Sequence, residues 1–310
     1  MASKQVAKQL EDTDVGIPTL TAHYVTETYN YHDNNASEIS IQVFSATTTI
    51  GGDIVSDRRD STGIMLWPAT HLICHHLASK NVGECVLELG CGCGMVGILS
   101  SKAHTHRLWV STDRDEQALD MCRKNYVLNE MNAEQLLAWY LEWGNESHIQ
   151  NLVDKLAKRC PGKDRFDAIV GADIVYPATC GQILHALLGT VSSLLSYDGT
   201  FWLSFATRDG AKTPMKLIAA ASDAGFFIDM LPPLDSDQKS KLPPLLDSKM
   251  LLLRRHPEAR QLNAALGTPS CKVFPGLQAA IARMEEPSSE EEWEAPFGDS
   301  SDEESVLREC

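Results

Sequence analysis

The chain has 310 residues, 43% of them hydrophobic, with 27 basic against 42 acidic side chains and a formal net charge of −15. That composition suits a globular protein with a substantial core, and it lacks the basic field that contacts to nucleic-acid phosphates require. No apolar run approaches the roughly 18 residues of a membrane span, no apolar stretch marks an export signal, and the nine cysteines form no paired framework, so the sequence predicts a cytosolic, or also nuclear, protein with reduced thiols.

In chain order, residues 1–62 read as an N-terminal extension with short strands, loose over 1–20. From 63 to 260 apolar runs alternate with amphipathic stretches. CVLEL (85–89) stops at glycines and predicts a buried strand, and RLWVST (107–112) predicts another. Over 115–130, Ala118, Leu119, Cys122 and Tyr126 share one helical face. Strands follow at 135–141 and 166–172, then a helix at 181–195, a strand at 200–206 and a helix at 216–225. The strands at 226–231 and 249–255 are joined by a proline-rich loop over 230–248, which predicts an antiparallel pair at one edge. Such alternation specifies an α/β fold, a mostly parallel sheet with one antiparallel edge strand and helices on both faces. Residues 261–284 read as a helical extension. The tail, 285–310, holds eleven acids and one arginine, leaving −5 for the 284 residues before it. It is too polar to offset its ordering entropy and reads as disordered.

Ligands of such sheets bind beyond the carboxyl ends of the strands. The first end reads LELGCGCGMVG, with Gly90, Gly92 and Gly94 between strand and helix. A dinucleotide fingerprint would place its third glycine one residue later, where Met95 stands. Glu88 just before the turn would repel a pyrophosphate and suit a ligand with positive charge, as S-adenosyl-L-methionine has. Asp113, nineteen residues after Gly94, suits two ribose hydroxyls. Trp143 in LEWGN is a candidate cover for an adenine, or a half-buried core indole. A strand also ends at GADIVY, with Asp173 and Tyr176 three apart.

Taken together, VLELGCGCGMVG, STDRD, EWG and FDAIVGADIVY resemble the seven-β-strand methyltransferases. The upstream STGIMLWPATHL narrows the resemblance to the family 16 branch of protein methyltransferases, which includes lysine methyltransferases of calmodulin, chaperones and elongation factors. The resemblance covers about residues 40–256. It implies a Rossmann-like seven-stranded sheet and S-adenosyl-L-methionine as cofactor, held by Glu88, Gly90, Gly92 and Gly94 in the turn, Asp113 at the ribose, Trp143 at the adenine and Trp67 near the methionyl end. Asp173 and Tyr176 would sit at the junction of cofactor and acceptor. It further implies a protein substrate, of chaperone or translation-factor type, methylated at lysine, with no membrane partner.

Related enzymes that methylate planar amides or adenine carry Asn- or Asp-Pro-Pro-Tyr at this strand end, whereas Ile174 and Val175 stand between Asp173 and Tyr176 here. Without that rigid clamp an aliphatic amine fits better than a flat acceptor. Asp173 is then expected to receive a proton or hold the ammonium, and Tyr176 to wall the pocket. A small-molecule or nucleic-acid methyltransferase and a non-catalytic scaffold remain the alternatives. HLICHH (71–76) reads as packing and not a metal site, and Cys91 and Cys93 read as small residues of the turn. Arg208, at a further strand end, reads either as lining the substrate opening or as structural.

Overall fold

The structure is a computed structural model that describes residues 5–6, 23–47 and 61–255. Most of the segment expected to be loose, the helical extension over 261–284 and the acidic tail lie outside the described residues.

The elements expected over 85–255 are present, but the strand expected at 200–206 begins five residues earlier, at Leu195, and the helix expected at 216–225 begins four earlier, at Lys212. A three-stranded antiparallel sheet comes first: β1 (Gln5–Val6), β2 (His23–His32) and β3 (Glu38–Thr47). The seven-stranded sheet holds β4 (Cys85–Leu89), β5 (Leu108–Asp113), β6 (Leu136–Tyr140), β7 (Phe166–Ala172), β8 (Leu195–Ala206), β9 (Phe226–Met230) and β10 (Ser248–Arg255). The helices are α1 (Pro68–Ser79), α2 (Met95–Ala103), α3 (Glu116–Leu128), α4 (Glu146–Arg159), α5 (Gln182–Leu194), α6 (Lys212–Asp223) and the short α7 (Ser236–Ser240). Strand order is β6-β5-β4-β7-β8-β10-β9. The first five are parallel, and β10 runs antiparallel to both β8 and β9. The last strand of the chain thus lies one place in from the edge, inserted between its predecessors.

Local chemistry explains the boundaries. Asp115 caps α3 by accepting from the Gln117 amide at 2.9 Å, and Asn145 caps α4 by accepting from His148 at 3.2 Å. Pro68 opens α1 where its missing N–H costs nothing. Inside the 230–248 loop, Asp235 and Gln238 exchange capping hydrogen bonds around α7.

Side chains of a strand alternate between faces. Cys85, Leu87 and Leu89 of β4 therefore join one core, built with Leu152 and Leu156 of α4, Leu184 and Leu188 of α5 and Leu217 of α6. Val86 faces the other way, into a second core with α1, α2 and α3. Ala118, Leu119, Cys122 and Tyr126 are all buried there, as the helical spacing predicts.

The N-terminal strands depart from expectation. Each strand of the β2–β3 hairpin has ten residues, longer than the short strands anticipated. Ile41, Val43 and Tyr31 enter the second core. The outer edge of β3 is closed by two asparagines of α3. Asn125 Oδ1 accepts from the Phe44 amide at 2.8 Å and Asn129 Oδ1 from the Gln42 amide at 3.0 Å, while their Nδ2 groups donate to the carbonyls of Phe44 and Gln42. These side chains take the place of a neighbouring strand.

Candidate active site

The carboxyl ends of β4 to β8 bring the sequence-predicted residues together. Gly90 and Gly92 adopt φ of 62° and 50°, in the left-handed region where side chains are strained. A Cβ on Gly90 would lie 2.5 Å from Ile174 Cγ2, and one on Gly92 would lie 2.8 Å from the Gly63 carbonyl oxygen. The turn is therefore pressed between the segment after β7 and the 3-10 turn Ser61–Ile64, with no room for side chains. Gly94 then caps α2.

Asp113, the last residue of β5, fastens this turn. Its Oδ2 accepts from the Gly92 amide at 3.1 Å and its Oδ1 from the Asp115 amide at 3.0 Å. Burial pushes its carboxyl up, and the backbone N–H groups pull the other way. A carboxylate has about four acceptor positions, and the backbone N–H groups of Asp115, Gly92 and Arg114 occupy three of them, so about one is left for a ligand hydroxyl. Trp143 is half-buried beside the turn, its Cζ2 3.8 Å from where a Gly90 Cβ would stand. Its neighbour Gly144 is held by Thr190 of α5, whose Oγ1 accepts from the amide at 2.8 Å.

Glu88 corrects one expectation. Being two residues from Val86, its side chain faces α2 and not the ligand side of the turn. The carboxylate is buried, accepting from Trp109 Nε1 at 3.1 Å and from the hydroxyl of Ser111, its register partner in β5. Desolvation raises its pKa to about 7 against those hydrogen bonds. Its carbonyl accepts from Thr112 Oγ1 at 2.6 Å. Glu88 thus braces the strand beneath the turn through Trp109 and Ser111.

Asp173 requires a second correction. It follows β7 with φ 56°, a left-handed conformation that Asp tolerates better than most residues. Its amide donates to the Ser204 carbonyl at 2.7 Å. Its carboxylate is wholly buried and clamped by Arg208, Nη1 to Oδ1 and Nη2 to Oδ2 both at 2.9 Å, and the Ala206 amide donates to Oδ1 at 3.1 Å. Three donors and a matched charge thus already engage this carboxylate. Arg208 is thus a partner that sequence reasoning left between two roles; its only sequence signal is its place just beyond β8.

The same guanidinium lies over the indole of Trp67, 5.2 Å from the ring centroid. Trp67 caps α1, and Ser204 Oγ binds the Ala69 carbonyl of that helix at 2.8 Å. Tyr176 stands half-buried at the end of the motif, its backbone pinned by Thr179 Oγ1, which accepts from the amide and donates to the carbonyl at 2.9 Å. Ile174 and Val175 are buried and anchor the motif over the glycine turn. In the histidine-rich stretch, Tyr31 hydroxyl and His71 Nδ1 lie 2.8 Å apart, and burial lowers the His71 pKa to about 4. A surface cavity of about 470 Å³ is lined by Asn34, His76 and Trp202, away from these strand ends.

This set fits S-adenosyl-L-methionine: a turn that backbone alone occupies, a carboxylate at the end of the next strand that can accept from a ribose hydroxyl, and an indole beside the turn. Fold and site together have the arrangement that the resemblance to the seven-strand methyltransferases implies. More narrowly, the chain belongs to the family described as lysine methyltransferase, which matches residues 50–229, more than half of it. It is similar to EEF1A lysine methyltransferase 3 of Mus musculus, 31% identical over 153 residues, 48% of this chain and 58% of that protein. It is also similar to protein-lysine N-methyltransferase EFM3 of Chaetomium thermophilum, 26% identical over 54% of this chain and 49% of that one. Histone-arginine methyltransferase METTL23 of Mus musculus is 25% identical over 47% of this chain and 54% of its own. The chain spans about half the length of the curated relatives it matches.

Proposed function

We propose that the protein transfers a methyl group from S-adenosyl-L-methionine to a lysine side chain of another protein. The observation that carries this reading is the contact of Ile174 with Gly90, which sets Asp173 and Tyr176 against the glycine turn without a proline clamp. When bound, the cofactor supplies a methyl group on a cationic sulfonium, open to in-line attack by a lone pair. Asp113, the turn and Trp143 would hold it by ribose, backbone and base.

The acceptor must arrive with a lone pair. A lysine ammonium has a free pKa near 10.4. Trp67 and Tyr176 present aromatic surface at the strand ends, and partial desolvation there disfavours the ammonium, so its proton passes to water on entry. Asp173 is committed to Arg208 and serves as an anchor. Rate then comes from orientation, which can supply several kcal/mol of a barrier.

A translation-factor acceptor is the first candidate, because two similar proteins carry names of elongation-factor or protein-lysine methyltransferases. The test is transfer of tritiated methyl from the cofactor into a cell lysate, with and without protease or nuclease, followed by amino-acid analysis of the labelled product. Label lost with protease and recovered as methyl-lysine supports the proposal. Label lost with nuclease, or recovered as methyl-arginine, overturns the acceptor.

A further inference from the structure

Resting on that reading, we propose that Arg208 is the positioning residue of the acceptor site, and that Asp173 acts only through it. Arg208 touches two of the expected site residues. It holds both oxygens of Asp173 and covers the Trp67 ring. They belong to separate parts of the fold: Asp173 follows β7, Trp67 immediately precedes α1, and Arg208 follows β8.

A planar, bidentate fork is what this geometry needs, since it fixes angle as well as distance. The Ala206 amide on Asp173 Oδ1 adds a third fixed point, so the carboxylate cannot turn without losing a backbone bond. The guanidinium is 22% exposed and the carboxylate not at all, so the pair meets the opening through Arg208. It also lies over the indole of Trp67, within the roughly 6 Å at which cation–π attraction operates. Removing the guanidinium takes the ion pair from Asp173 and the cation–π contact from the indole. Lysine keeps the charge and loses the fork.

Four variants and two readouts test this. In methyl transfer to a protein acceptor, Arg208→Ala is expected to lower kcat at least tenfold while the Kd for S-adenosylhomocysteine changes less than threefold. Arg208→Lys should recover part of the loss. Because the two side chains act as one unit, Asp173→Asn should cost about as much as Arg208→Ala, and the double variant no more than the worse single. The second readout needs no activity: in protein labelled with 5-fluorotryptophan, the Trp67 resonance, assigned with Trp67→Phe, should shift in Arg208→Ala and less in Arg208→Lys. An unmoved Trp67 resonance overturns the proposal even if no acceptor is methylated. So does a loss confined to Asp173→Asn with Arg208→Ala near wild type, the pattern of an independent base. A silent wild-type assay with a shifted resonance counts against the methyl-transfer reading and leaves the positioning role standing.

Discussion

Two residues on either side of Leu89, Glu88 and Gly90, serve the turn in different ways. Glu88 keeps its proton up to about pH 7 in the fold, against a usual 4.5. Between those values the folded state binds more protons than the unfolded one, so this residue's contribution to stability falls as pH rises from about 4.5 to about 7 and then levels. At about 1.4 kcal/mol per tenfold difference in proton affinity, the loss is roughly 3 kcal/mol. Glu88→Gln should therefore gain on wild type between pH 5 and pH 8, as read by urea midpoints at both values; equal differences at the two pH values would refute it. Gly90→Ala meets both a left-handed φ and a 2.5 Å clash with Ile174. The backbone alone costs about 1–2 kcal/mol. We expect at least tenfold weaker S-adenosylhomocysteine binding by calorimetry, with a lowered melting temperature.

Among the elements, the β2–β3 hairpin shows what the pattern of a segment leaves open. Its apolar alternation, as in EISIQVF, is visible in the sequence, yet nothing within residues 23–47 says which surface covers it. The answer lies some 80 residues on, in Asn125 and Asn129, four apart on one face of α3. Asn125 is fully buried and also donates to the Cys93 carbonyl at 2.9 Å, tying the hairpin to the glycine turn. Asn125→Ala would strand a buried amide and two carbonyls. Losing one buried partner costs about 1–3 kcal/mol, so a loss of about 2–4 kcal/mol by urea unfolding is expected. Weaker cofactor binding should accompany it; a stability change below about 0.5 kcal/mol would show that water replaces the side chain.

At the scale of the whole molecule, charge is divided unevenly. The last 26 residues hold −10 of the −15. We expect deletion of 285–310 to leave S-adenosylhomocysteine affinity unchanged and to lower KM for a basic protein acceptor two- to fivefold at low ionic strength, with the difference vanishing near 0.5 M salt as screening shortens. A KM equal to that of the full chain at low salt would remove the tail from acceptor binding.

The strands at 85–89 and 166–172, the buried face of α3 and the glycine turn were legible in the sequence because each rests on local physics: side-chain period, apolar length, and conformations that glycine adopts more readily than other residues. Even the burial of Glu88 was latent there, since it shares its strand face with Val86. Other features belong to the tertiary structure. The place of β10 between β8 and β9 depends on which edges meet. The docking of the hairpin depends on two amides in a distant helix. The role of Asp173 turns on Arg208, 35 residues further along the chain, because the chemistry of a carboxylate is set by the charges and donors around it, and only the fold brings those together.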